Sequence, residues 1–80
     1  MPTYALSHRH QADECRFAYA AWRGCDSPLR RASTWSSCAQ GGHGIWWTVE
    51  AEDAEAALAM LPPFVAARTK VELVSLVPIP

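Results

Sequence analysis

This 80-residue chain has almost no charge imbalance: seven Lys and Arg stand against eight Asp and Glu, for a formal net charge of −1. So even a balance gives no electrostatic footprint for nucleic acid or for an anionic membrane surface, and neither is expected as a partner. Arg30 and Arg31 are adjacent but make no basic patch. No apolar run approaches the roughly 20 residues of a helical membrane span. The N-terminal stretch lacks the charged-then-apolar pattern of a secretory signal, so the expected location is cytoplasmic. Cysteine is scarce. Cys15, Cys25 and Cys38 cannot all pair internally, and no C-x-x-C spacing occurs. Neither a disulfide framework nor a thioredoxin-type motif is supported, and reduced thiols are expected. The chain also has no repeat, no low-complexity segment and no linker.

Apolar residues are plentiful, at 50% of the chain. That suits one folded domain over residues 1–80 rather than a disordered chain. A domain this short buries only about 60% of its unfolded surface. Its core is marginal, and a partner subunit is a common remedy.

The element pattern reads β-α-β-β-α-β. Residues 3–10, TYALSHRH, alternate as a strand with Tyr4, Leu6, His8 and His10 on one face. Residues 12–23 read as a helix, with Asp13 and Glu14 at its positive end and Gly24 as its stop. Its inward stripe is Cys15, Ala18, Tyr19 and Trp22. CDSPLRR is a loop. Residues 32–38 predict a polar edge strand, AQGG a hairpin connection, and residues 43–50 a more apolar returning strand. Asp53 caps a second helix, AEAALAML, expected to end near Leu61 before Pro62-Pro63. Pro63 can open a further turn through FVAAR. Phe64 is expected as an anchor at the histidine end of the sheet. Residues 70–77 form the last strand.

This order is the ferredoxin-like α+β signature, an antiparallel sheet in the order 4-1-3-2. Leu73 and Val77 should point to one face, Val74 and Leu76 to the other, and Trp46 and Trp47 to opposite faces. Helices can cover only one face. An apolar second face predicts a homodimer packed sheet to sheet.

That topology places His8, His10, Cys38 and His43 at one end of the sheet. Three imidazoles and one thiolate suit zinc, nickel or copper, so these four are the candidate metal ligands. As polar strand-end residues they would instead bond to backbone, with Cys38 a small buried hydrophobe. Cys15 sits near a helix N-terminus with no base identified beside it, and reads as packing. An enzyme reading uses a histidine as general base at the mouth of a small-molecule cleft lined by Tyr4, Trp35, Trp47 and Phe64. The same aromatics serve equally as core. A third possibility is a non-catalytic accessory domain that binds another protein.

Several short motifs resemble those of the dimeric α+β-barrel superfamily, which includes muconolactone-isomerase-like proteins, small monooxygenases and a small nickel-binding family. The nickel-binding family is the nearest in pattern. It resembles this chain at His8-Arg9, at Glu50-Ala51-Glu52-Asp53 followed by Ala54-Glu55-Ala56, and at Val77-Pro78. The resemblance implies a homodimer, nickel as cofactor and His8 as a ligand. Its enzyme members imply a cofactor-free isomerase or monooxygenase acting on a small organic molecule. The double tryptophan, the double proline and Gly41-Gly42-His43-Gly44 depart from that pattern.

Overall fold

Alternation along TYALSHR produces the central strand, β1 (Thr3–Arg9). Tyr4, Leu6 and His8 are buried on its inner face, and Thr3, Ala5 and Ser7 are half-buried on the outer one. The computed structural model describes all residues, Met1–Pro80. A 3₁₀ turn (Ala12–Glu14) leads into α1 (Cys15–Ala20). β2 is only Trp35–Ser36, and a second 3₁₀ turn (Cys38–Gln40) precedes β3 (Gly44–Glu50). Then come α2 (Ala54–Leu58), α3 (Pro63–Ala66) and β4 (Thr69–Val74).

The four strands form one antiparallel sheet in the order β2-β3-β1-β4. β1 faces β3 with Leu6 opposite Trp47 and His8 opposite Ile45. On its other side Leu6 meets Val71 and His8 meets Thr69. The core lies on the inner face, where Leu6, Ile45, Trp47 and Val49 pack against Ala57, Leu61 and Val65.

The ferredoxin-like α+β barrel expected from the sequence is not what this chain builds. Strand neighbours read from the β4 edge run 4-1-3-2, but the sheet is open and the layer over it is made of short pieces. Three local causes are visible. The predicted strand 32–38 shrinks to two residues because its hydroxyls bind backbone locally. Ser36 Oγ accepts from Cys38 N–H, Ser37 Oγ from Gly44 N–H, and Thr34 Oγ1 donates to Trp46 O. Such bonds compete with a ladder. The predicted helix 12–23 begins as a 3₁₀ turn and its α-helical part stops at Ala20, with Gly24 further on in the left-handed region at φ 76°. The helix expected to reach Leu61 stops at Leu58, and Pro63 starts α3 as a separate turn. At the start of α2, Asp53 Oδ1 accepts from Ala56 N–H at 2.8 Å, as its sequence position predicts.

The second face of the sheet is more polar than the strand pattern predicted. β4 ends at Val74, so Leu76 is not on a strand face at all; it lies beyond the strand, fully exposed. The outer face presents Ser7, Arg9, Thr48, Glu50, Lys70 and Glu72, with Ala5 and Val74 as its aliphatic members. Trp46 does point outward there, opposite to Trp47, and the Arg9 guanidinium lies 5.6 Å from its ring centroid. That stacking shields one side of the indole.

Candidate metal centre

Chain geometry at the top of the sheet brings histidine and cysteine together. β1 ends at Arg9, but His10 N–H still donates to His43 O at 3.1 Å. The extended chain therefore runs one residue further, and His10 falls on the same face as His8. The chain then turns sharply. Gln11 N–H donates to Glu14 Oε1 at 2.8 Å, and Arg68 pairs with Glu14 Oε2 at 3.0 Å. The Gln11 amide, and then Arg68, hold the Glu14 carboxyl below the usual carboxylate range. This pinned turn swings Cys15, the first residue of α1, back over the strand end.

The hairpin supplies the opposite pair. Cys38 opens the 3₁₀ turn after β2. Ser37 organises the return into β3: its N–H donates to Gly44 O, its carbonyl accepts from Gly42 N–H, and its hydroxyl accepts from Gly44 N–H. Glycine permits a close approach of side chains at two of these places. A Cβ on Gly42 would lie 2.4 Å from Ser37 Oγ, and one on Gly44 would lie 2.7 Å from the Trp46 ring. His43 adopts the left-handed region at φ 55° without being glycine. That conformation costs roughly 1–2 kcal/mol, and here it points the imidazole at Cys15.

One donor atom from each of His10, Cys15, Cys38 and His43 lies within 4.8 Å of all the others. Cys15 Sγ is 3.2 Å from His10 Nε2 and 3.1 Å from His43 Nδ1, and Cys38 Sγ is 3.5 Å from His10 Nε2. Zinc bonds of about 2.3 Å to sulfur and about 2.0 Å to nitrogen put neighbouring donors of a tetrahedron roughly 3.3–3.8 Å apart. The cluster is close to that size and could hold a metal ion. His10 is buried and the other three are half-buried.

His8 is not among the donors; it sets the one beside it. Its ring is fully buried. Nδ1 lies 3.2 Å from Val65 O and 3.3 Å from Thr69 Oγ1, whose own proton goes to Val65 O. A carbonyl only accepts, so His8 Nδ1 carries the proton and Nε2 is left as an acceptor. His10 Nδ1–H donates to that Nε2 at 2.8 Å. His10 Nε2 then keeps its lone pair, aimed at the two sulfurs. Metal-bound histidines are held in the same way, a bond at one ring nitrogen fixing the other as ligand.

Burial shifts the titrations in line with this. It pulls His8 and His10 below the ordinary imidazole value, and His43 pulls His10 further. Both rings are thereby held neutral, the form that ligates. Burial, then Cys38, pushes the Cys15 thiol up. Burial and Cys38 also raise the Tyr19 phenol. Without a cation the Cys15 sulfur keeps its proton, and an arriving metal must displace it.

Of the four ligands read from sequence, His10, Cys38 and His43 meet here, and Cys15 takes the place assigned to His8. Reading Cys15 as packing missed a cue. His10-x₄-Cys15 and Cys38-x₄-His43 are mirror-image spacings, each bridging one tight turn. The proposed aromatic cleft does not assemble. Tyr4 is in the core, Trp35 is 84% exposed, and half-buried Phe64 is sandwiched by Arg68 at 3.7 Å and by Phe17 at 6.4 Å. Of the four aromatics, Trp47 alone borders the largest cavity, and Trp35 lies on a separate surface depression with Ser33 and Thr34.

No family model, curated protein or solved structure matches the chain. No helix is long and apolar enough to cross a membrane.

Proposed function

We propose that the protein is a small zinc-binding module whose ion is held by His10, Cys15, Cys38 and His43. The observation that carries this is the convergence of the four donor atoms within 4.8 Å, drawn from three separate segments of the chain. Two thiolates and two imidazoles in a compact set favour tetrahedral zinc. Nickel, the ion suggested by the short motifs, is better served by square-planar donors, and copper(I) is the softer competitor. Four protein donors leave no open position, so the ion acts as a staple rather than a hydrolytic centre. It would fasten the start of α1 and the β2–β3 hairpin to the end of β1. The general-base reading loses its candidate, because buried His8 has both ring nitrogens committed.

Titration with cobalt(II) tests the proposal. One equivalent should produce the visible ligand-field bands of tetrahedral cobalt with thiolate-to-metal charge transfer, and one equivalent of zinc should erase them. Cys15→Ser and Cys38→Ser should each reduce the charge-transfer intensity. A colourless titration, or the octahedral spectrum of weakly held cobalt, would overturn it.

A further inference from the structure

A cleft of 390 Å³ opens on the inner side of the sheet beyond the cover of α2 and α3. It exists because α1 is short and the chain from Ala21 to Thr34 forms no long element, so nothing roofs this half of β3. Ile45 and Trp47 form its floor, and Tyr19, Trp22 and Leu29 its walls. The two indoles lie 5.9 Å apart between centroids. The volume falls inside the usual range for small-molecule sites, roughly 300–1,000 Å³, and the lining is mainly apolar as such sites are.

Its polar rim is mostly committed. Tyr19 Oη and Ser36 Oγ bond each other at 3.1 Å, and Thr34 Oγ1 serves Trp46 O. Arg31 is the exception. It is the one charged residue on the lining, and the molecule's only ion pair belongs to Arg68 and Glu14. Arg31 also holds a left-handed backbone at φ 67°, unusual for a residue with a Cβ. Arg31 thus stands at the rim of the aromatic cleft, outside any ion pair, and also borders a neighbouring polar depression with Asp26 and Arg30.

We propose that this cleft binds a small planar aromatic monoanion, its ring against Trp22 and Trp47 and its carboxylate on Arg31. Flat aromatic walls select a ring by stacking. A guanidinium selects a carboxylate by paired, charge-assisted hydrogen bonds. None of the four candidate donors lines the cleft, although Tyr19 and Ser36 on its rim adjoin Cys38.

The test is titration of intrinsic tryptophan fluorescence with naphthoate, its neutral isostere naphthamide and the cationic naphthylmethylammonium. It is run on both chelator-treated and zinc-loaded protein. Naphthoate should quench saturably and bind about tenfold tighter than naphthamide, with the cation weakest. Arg31→Gln, at an exposed position, should bring naphthoate down to the naphthamide affinity. Ala32→Phe, also exposed, should fill the cleft and abolish both. Absence of saturable quenching overturns the proposal. So does equal affinity for acid and amide, or an anion preference that survives Arg31→Gln. Binding that persists in chelator-treated protein separates this result from any failure of the zinc site.

Discussion

Along β1 the inward-facing side chains change character. Tyr4 and Leu6 meet Val49, Trp47, Val71 and the apolar side of the helices, whereas His8 and His10 meet a carbonyl, a hydroxyl and two sulfurs. Both halves are buried. The apolar half is held by removal of surface from water and by dispersion, which act in any direction and tolerate small shifts. The donor half is held by directional contacts, and no buried side-chain nitrogen or oxygen there lacks a partner. Hydrogen bonds among two thiols and three imidazoles give a small net stabilisation, and an ion bound there would add directional bonds where the apolar half relies on burial.

Metal removal should therefore give the largest effect and confine it to one half. Zinc bound by such a donor set contributes on the order of 10 kcal/mol in small zinc-dependent folds. Chelation should lower the melting temperature steeply. Amide hydrogen exchange should rise first in residues 10–15 and 36–44 while Leu6 and Trp47 stay protected. Uniform loss of protection across β1 would show that the two halves fold as one unit.

Leu6→Ala strikes the other half. Leu6 is 1% exposed at the centre of the core, and such truncations cost about 2–5 kcal/mol. The cost should be read in the denaturation midpoint of apo and loaded protein alike, while zinc affinity measured at low temperature on the folded fraction stays near that of the parent.

His8 links the halves, and its substitution sharpens the comparison. His8→Ala removes the acceptor that fixes the His10 tautomer. Loss of such a partner lowers metal affinity by about 10–100-fold. His8→Gln keeps an acceptor and should recover part of the affinity. Competition with a chelator of known affinity measures both. If the alanine variant binds zinc as tightly as the parent, the relay through His8 has no role.

Acid provides a milder probe of the metal-free protein. His8 and His10 have folded-state values lowered from 6.5 by burial, so the unfolded chain takes up protons first as pH falls. Their contribution to stability is complete above about 6.5 and declines below it, until the lowered folded values are reached. Denaturation midpoints measured between neutral and mildly acidic pH should fall over this window. Zinc should hold stability to lower pH, because the ion competes with protons for His10.

These effects also mark what the sequence could convey. Alternation placed Tyr4, Leu6 and His8 on one face, and strand direction placed His10, Cys38 and His43 at one end, because both follow from geometry that side-chain type encodes directly. Cys15 was legible only through its x₄ spacing from His10, and its approach over the strand end depends on the Glu14–Arg68 clasp between residues distant in sequence. The role of His8 was misread for a similar reason: only the fold shows that Val65 and Thr69 already occupy its Nδ1. The short strand at Trp35 escaped because hydroxyl-to-backbone bonds, not periodicity, decide that segment.

Asp53→Ala should give the smallest effect, and its value lies in where it falls. Asp53 caps α2, whose Ala57 packs fully buried in the apolar cluster, and neither residue belongs to the candidate donor set. Removing a side-chain cap costs about 0.5–2 kcal/mol because an N–H of the first turn loses its acceptor. The loss belongs to the apolar half alone. Apo and zinc-loaded protein should therefore lose the same increment in chemical denaturation, and cobalt spectra should be unchanged. Asp53→Asn, which retains an acceptor oxygen, should recover most of the loss. An increment that differs between the apo and loaded forms would mean that α2 and the metal centre are coupled through β1 and that the boundary between Leu6 and His8 is not an energetic one.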